Sequence, residues 1–317
     1  MPSLFPEGPL TGQLGSKGSI GVMVNRDGLK LATYYWPATC PGPAKGVVLG
    51  VHGHGAYLFI EYLAAKGPGT PVQYRDSWIE KMNSSGYSVC GIDLQSCGFS
   101  QGKYDLRCYI DSFDDHVQDV IQFARSLHDT SVPGFQKLPM FIMGCSLGGC
   151  ITVNVMRQAG NLFKGAILLA PMLSLERVSQ QGLNPYLRPI ASLISLLFPA
   201  WPIVVTDKNT MYPELQQEWD EDPLCWHGKT RARVAAEYLR ITEDVCANMK
   251  SFTFPYLAFH SENDTMCDCD GSKKLYAESQ AKDKTLRHVN QMWHVIVKED
   301  GNDKVLQEIV EWINKRV

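Results

Sequence analysis

Short apolar runs recur along the chain and alternate with stretches whose apolar residues return every third or fourth position. The runs at 47–51, 87–93, 140–143, 165–171 and 256–260 carry no charge before their final residue. They are too short for helices and fit strands buried on both faces of a parallel sheet. Between them, Phe113, Val117, Val120, Ala124 and Leu127 keep helical spacing across 112–127. A short helix is predicted from near Ser77, with Trp78, Ile79 and Met82 on one side, and others over 151–156, 273–281 and 303–316, with a strand near 285–289. Repeated strand–helix units with glycine-rich turns predict an open, mostly parallel α/β sheet flanked by helices. At the start, 20–24 and 29–35 read as strands joined by Asn25-Arg26-Asp27-Gly28, whose Asp-Gly ending suits a hairpin. An antiparallel pair at one edge is therefore expected.

The rhythm breaks between 172 and 254, where Pro185, Pro189, Pro199, Pro202, Pro213 and Pro223 interrupt largely helical pieces. This interval reads as a cap inserted after the sixth strand, over the carboxyl ends of the strands. The domain organisation is then a core of 1–171 and 255–317 with a cap of 172–254. Within the cap, 186–205 is strongly apolar, through Leu187, Ile190, Leu193, Ile194, Leu196, Leu197, Phe198, Trp201 and Ile203. A membrane-spanning helix needs about 20 continuous apolar residues, and Arg188, Pro189, Pro199 and Pro202 interrupt this one. The segment is expected to pack over the sheet and line an acyl pocket, with plain structural burial as the alternative. Any part left exposed would let the cap make peripheral contact with a lipid surface.

Composition narrows the partners. The chain has 317 residues and a formal charge of -3, without the cationic footprint of a nucleic-acid binder. Its start, Met-Pro-Ser-Leu-Phe-Pro-Glu-Gly, lacks a basic segment followed by an apolar one, so no signal peptide is expected. Ten cysteines are scattered without a C-x-x-C pair or the histidine spacing of a zinc site. Free buried thiols in a reducing, cytoplasmic setting are expected, with no structural metal and no cofactor.

The candidate chemistry centres on 137–150, which reads strand, sharp turn, helix, with Gly144-Cys145-Ser146-Leu147-Gly148 at the turn. In that context G-x-S-x-G is a nucleophile elbow: glycines let strand and helix approach, and the strained turn holds up the Ser146 hydroxyl. The alternative is a serine that only caps a helix. The Leu147 N–H, at the helix N-terminus, would face a developing oxyanion. Such a serine needs a base, and the base an orienting acid, in the chain order Ser, Asp, His. Asp264 follows the run ending at Phe259, and His294 lies past the final strand. Glu262, Asp268 and Asp270 compete as nearby carboxylates. Of the other histidines, His116 and His128 fall on or beside an amphipathic helix, His227 lies in the cap, and His260 and His288 lie at or in strands. The second oxyanion donor is expected from His52-Gly53-His54-Gly55 after the third strand, through the N–H of His54. Phosphate-loop spacings are absent there.

These motifs resemble the monoacylglycerol lipase and lysophospholipase branch of the α/β-hydrolase superfamily, from His52-Gly53 to the last helix. Besides the triad, 91–102 is similar to the family's Asp-x-x-Gly-x-Gly-x-Ser loop. Asp222-Pro223-Leu224 resembles the end of its cap, and 264–268 its acid loop, with Cys267 where monoacylglycerol lipases carry a cysteine. The segment 77–89, together with the long loop before it, is closer to protozoan lysophospholipase-like members. The resemblance implies an α/β-hydrolase fold and a serine ester hydrolase acting on monoacyl lipid or other ester substrates. Cys145 stands where monoacylglycerol lipases usually have histidine, and Ala56 and Ile60 where they tend to carry polar groups near the glycerol. Those departures favour broader esterase specificity. A general carboxylesterase or an acyltransferase is the alternative enzyme, and a catalytically silent binding module the alternative of another class.

Overall fold

The computed structural model describes residues 11–129, 132–180 and 191–317. Its strands are β1 (Ser19–Val24), β2 (Lys30–Trp36), β3 (Gly46–Val51), β4 (Tyr87–Ile92), β5 (Met140–Cys145), β6 (Gly165–Leu169), β7 (Pro202–Val204), β8 (Thr230–Arg231), β9 (Tyr256–His260) and β10 (Lys284–His288). Eight of them form one sheet in the order β1-β2-β4-β3-β5-β6-β9-β10. β2 pairs antiparallel with both β1 and β4, and every pairing from β4 through β10 is parallel. This is the expected sheet, with the hairpin at one edge. Every residue of β3, β4, β5, β6 and β9 is buried, which is why these strands read as continuous apolar runs.

Alternate side chains of each strand feed separate cores. Val47, Leu49 and Val51 join Ile142, Leu168 and Ala258 beneath the Phe113–Asp129 and Leu147–Ala159 helices. Val48 joins Phe141, Ile167 and Leu257 beneath Trp78–Ser84 and Asn302–Asn314. Each fully buried Leu or Phe contributes about 1.5–3 kcal/mol, so the sheet is held from both faces and the loops at its carboxyl edge stand on a rigid base.

Two local expectations change. The helix expected over 273–281 runs from Cys269 to Glu278. Its start is set by tertiary contacts of Asp268, whose Oδ2 accepts from Ser174 Oγ at 3.0 Å and Arg177 N at 2.8 Å. A further short helix, Leu58–Tyr62, follows β3 and buries Leu58, Phe59, Ile60 and Tyr62.

Between β6 and β9 the described residues are mostly helical, with β7 and β8 forming a small antiparallel pair. The Ala232–Asn248 helix buries Val234, Tyr238, Ile241 and Val245 and touches Phe113–Asp129. Leu187, Ile190 and their neighbours at 181–190 lie outside the described residues. The rest of the apolar segment departs from expectation: Leu193, Leu196, Leu197, Phe198, Trp201 and Val205 are exposed instead of roofing the sheet. Among the described residues, no helix is long and apolar enough to cross a membrane.

Candidate active site

Ser146 caps the Leu147–Ala159 helix with φ 54° and ψ -118°, a left-handed backbone that an L-residue adopts only under restraint. The restraint is visible on both sides: Ser146 N–H donates to Leu169 O at 2.9 Å, and Ser146 O accepts from Met172 N at 2.9 Å. A Cβ on Gly144 would lie 2.1 Å from Gly148 O, and one on Gly148 2.3 Å from Val51 O. The elbow therefore requires both glycines. Ser146 Oγ lies 3.8 Å from Cys267 Sγ.

Asp264 sits on the loop after β9 and His294 on the loop after β10. His294 Nδ1 and Asp264 Oδ2 are 2.7 Å apart, and the same oxygen meets His260 Nε2 at 3.1 Å. Asp264 Oδ1 accepts from the N–H groups of Met266 at 2.8 Å and Cys267 at 2.9 Å. Burial opposes ionisation of Asp264, but the charge of His294 and the hydrogen bonds from both histidines hold its pKa well below the carboxylate range. Burial likewise opposes protonation of His294, yet the Asp264 carboxylate raises its pKa above the ordinary 6.5. With Nδ1 engaged by Asp264, Nε2 is the basic atom left for the cavity. No hydrogen bond joins Ser146 to His294 among the described residues, and such contacts commonly tighten only when substrate binds.

The competing groups are committed elsewhere. Glu262 pairs with Lys273 at 2.6 Å and Asp270 with Arg177 at 2.6 Å, while Asp268 anchors the helix described above. His116 is buried and His227 accompanies Trp219 O at 2.8 Å. One group among the described residues, Glu262, Cys269 and His288, brings metal-ligating atoms within 4.8 Å of one another, with Glu262 already occupied by Lys273.

Several supporting residues escaped sequence reasoning. Glu299 is fully buried and takes three amide donors, Trp293 at 2.6 Å, His294 at 3.0 Å and Val295 at 2.7 Å, which fix the backbone of the histidine loop. His260 steadies Asp264 and is itself held by Ser272 Oγ at 2.7 Å. A buried carboxylate four or five residues past a histidine, and a histidine closing a strand, were the available signals.

The loop after β3 carries His54, the expected second oxyanion donor. Burial lowers the pKa of His52 to about 4, and as a neutral ring it accepts from Leu94 N at 2.9 Å. Gly53 N–H donates to Glu61 Oε2 at 2.9 Å, which removes that amide from contention. Among the described residues, His54 N–H pairs with no backbone carbonyl, and Leu147, first in its helix, has no partner inside it. The His54 ring lies 2.9 Å from Tyr238 Oη and 3.1 Å from Thr230 Oγ1, both between β6 and β9. A cavity of about 300 Å³ is lined by His54, Ser146, His294, Glu61, Val205 and Trp219 among others.

A strained serine at a strand–helix elbow, beside a histidine–aspartate pair at the carboxyl edge of a mostly parallel sheet, defines a serine hydrolase of the α/β-hydrolase fold. The chain belongs to the family described as serine aminopeptidase, S33, which it matches over residues 42–301. It is 24% identical to the monoglyceride lipase of Mus musculus over 299 residues, covering 93% of this chain and 90% of that protein. It is 22% identical to the monoacylglycerol lipase of Mycolicibacterium smegmatis over 289 residues, covering 90% and 93%. A soluble variant of the Saccharomyces cerevisiae monoglyceride lipase, solved with a substrate analogue, shares the fold with a TM-score of 0.77 at 20% identity, covering 98% of this chain and 99% of that one.

Proposed function

We propose that this protein hydrolyses carboxylic esters of monoacyl lipids through an acyl-enzyme on Ser146, with 172–254 as the cap over the site. The observation that carries the reading is the buried Asp264–His294 pair, whose His294 lines the same cavity as the strained Ser146. His294 Nε2 takes the Ser146 proton as Oγ attacks the ester carbonyl, and Asp264 stabilises the imidazolium. The N–H groups of His54 and Leu147 hold the tetrahedral anion, each donor contributing about 2.7–4 kcal/mol in comparable sites. The alcohol leaves with a proton from His294, and a water repeats the cycle to release the acid. The relatives named as monoacylglycerol lipases support a monoacyl lipid as the substrate class.

A second reading, a broad-specificity carboxylesterase, draws on Ala56 and Ile60, which place apolar groups on the cavity wall. Apolar groups at those two positions weaken discrimination among head groups. The exposed side chains of Leu193, Leu196, Leu197, Phe198 and Trp201 support peripheral docking on a lipid surface. The ten free thiols support a reducing, cytoplasmic setting.

Fluorophosphonate labelling tests the nucleophile: the wild-type chain should label and Ser146→Ala should not. A hydrolysis panel of long-chain monoacylglycerols, lysophospholipids, short-chain esters and an amino-acid anilide tests the substrate class. Preference for the long monoacyl lipids supports the first reading. Equal turnover of short soluble esters favours the second, and cleavage of the anilide alone overturns both.

A further inference from the structure

On the far side of the oxyanion loop from the substrate cavity, Cys108 adopts φ 51°, a left-handed backbone for a non-glycine residue. That conformation brings its Sγ to 3.5 Å from His54 Nδ1. Ser96 ties the neighbouring segment to it three times: Ser96 O accepts from Cys108 N at 2.9 Å, while Ser96 Oγ donates to Tyr109 O and accepts from Tyr109 N, both at 2.8 Å. The peptide units of Cys97 and Cys108 therefore lie side by side. Both sulfurs line a small cavity of about 10 Å³, with His54, Leu147, Tyr238 and His116. That space admits a single water-sized molecule and no lipid. His116 Nδ1, buried without a hydrogen-bond partner among the described residues, offers such a guest a polar contact.

The environment divides the labour between the two sulfurs. The hydrogen bond from Cys97, with the charge of His54 and the N–H of Gly55, lowers the Cys108 pKa well below the ordinary thiol value despite burial. Cys97 is pushed the other way, by the same hydrogen bond and by burial. A more acidic thiol in contact with a histidine, next to a less acidic one, is the arrangement of an attacking and a resolving cysteine. The Cys108 sulfur also touches the loop that carries the proposed oxyanion donor, through the His54 ring and the Gly55 amide.

We propose that Cys97 and Cys108 are a modification site, a dithiol that hydrogen peroxide converts to a disulfide, and that this oxidation disturbs the oxyanion loop through His54 and Gly55. Cys108 S⁻ attacks the O–O bond, forming S–OH; the departing hydroxide takes the His54 proton and leaves as water. Cys97 sulfur then attacks the sulfenic sulfur, forming the S–S bond and expelling a hydroxide that combines with the Cys97 proton. Two thiols and one peroxide give one disulfide and two waters. The thiolate that held the His54 ring and the Gly55 N–H is then gone. The effect on turnover rests on the catalytic reading above; the disulfide itself does not.

The test uses the full chain, reduced and then exposed to hydrogen peroxide. The intact mass should fall by about 2 Da, the two hydrogens lost. Trypsin cuts after Lys103 and Arg107, between the cysteines, so the bond is read as two linked peptides. Ester hydrolysis and fluorophosphonate labelling should fall roughly tenfold or more, as for a weakened oxyanion donor, and return with dithiothreitol. Cys97→Ser should keep its starting activity, form no link, and stop at a Cys108 sulfenic acid that dimedone traps. Absence of the linked peptides and of the dimedone adduct overturns the proposal, as does a complete link with turnover unchanged. A reduced wild-type chain that fails to label would sink the catalytic reading instead, while the mass measurement still decides the dithiol.

Discussion

The loops after β9 and β10 and the apolar segment between β6 and β9 are built on opposite terms. Asp264 takes donors from His260, His294, Met266 and Cys267, and Glu299 clamps three consecutive amides. Leu196 and Leu197, by contrast, are 68% and 60% exposed, with no core to satisfy. Catalytic geometry needs side chains held to within a fraction of an ångström, so it is placed where buried polar groups have every partner supplied. Contact with a lipid phase needs only apolar area, which is least costly to keep where the fold does not use it.

The sharpest way to break the acid–base end is Asp264→Asn, which keeps the shape and removes the charge. Turnover should fall by about 10⁴, measured as kcat on the best ester of the panel, while the far-ultraviolet spectrum is unchanged. A loss below tenfold would mean that another group orients His294. Gly148→Ala strikes the frame beneath both regions, because the added carbon would sit 2.3 Å from Val51 O. It should destabilise the fold by about 1–3 kcal/mol or more, seen as a lower midpoint in urea, and should slow labelling at Ser146.

The acidity of His294 offers a milder probe. As the proposed base, His294 must be neutral to act, and its pKa is raised above 6.5, so kcat/KM should fall as pH drops through a midpoint above 6.5. Asp264 stays ionised across that range because its own pKa is depressed. Removing its charge in Asp264→Asn should move the midpoint down, read from the residual activity. The smallest effect on the fold is expected at the cap: Leu196→Asp with Leu197→Asp should change stability by under about 0.5 kcal/mol each. The same pair should weaken sedimentation with lipid vesicles several-fold and leave a short soluble ester unaffected. Unchanged vesicle binding would remove the docking role from this face.

Particular residues show where sequence reasoning reaches and where it stops. β9 spans 256–260 as predicted, because Pro255 marks where the apolar run opens and the polar Ser261-Glu262-Asn263 where it closes. The helix after it begins at Cys269 instead of 273, because Ser174 and Arg177, nearly a hundred residues away, anchor Asp268. Asp264 and His294 stood out by their order behind Ser146, whereas His260 looked like any strand histidine until its ring was seen against Asp264. The segment 186–205 was expected to roof the pocket, since apolar composition specifies burial without naming what covers it. Of that stretch Val205 alone lines the cavity among the described residues.

What the sequence determined by itself was the strand–helix frame and the elbow: continuous apolar runs, helical spacing and obligatory glycines are local consequences of backbone geometry. What only the tertiary structure decided was company: Glu299 beneath the histidine loop, Glu61 on the Gly53 amide, Cys108 against the His54 ring, and the apolar side chains of 193–201 left to solvent. These are contacts between distant segments, set by how layers stack, and no pattern along the chain encodes which polar group or which solvent a side chain will meet.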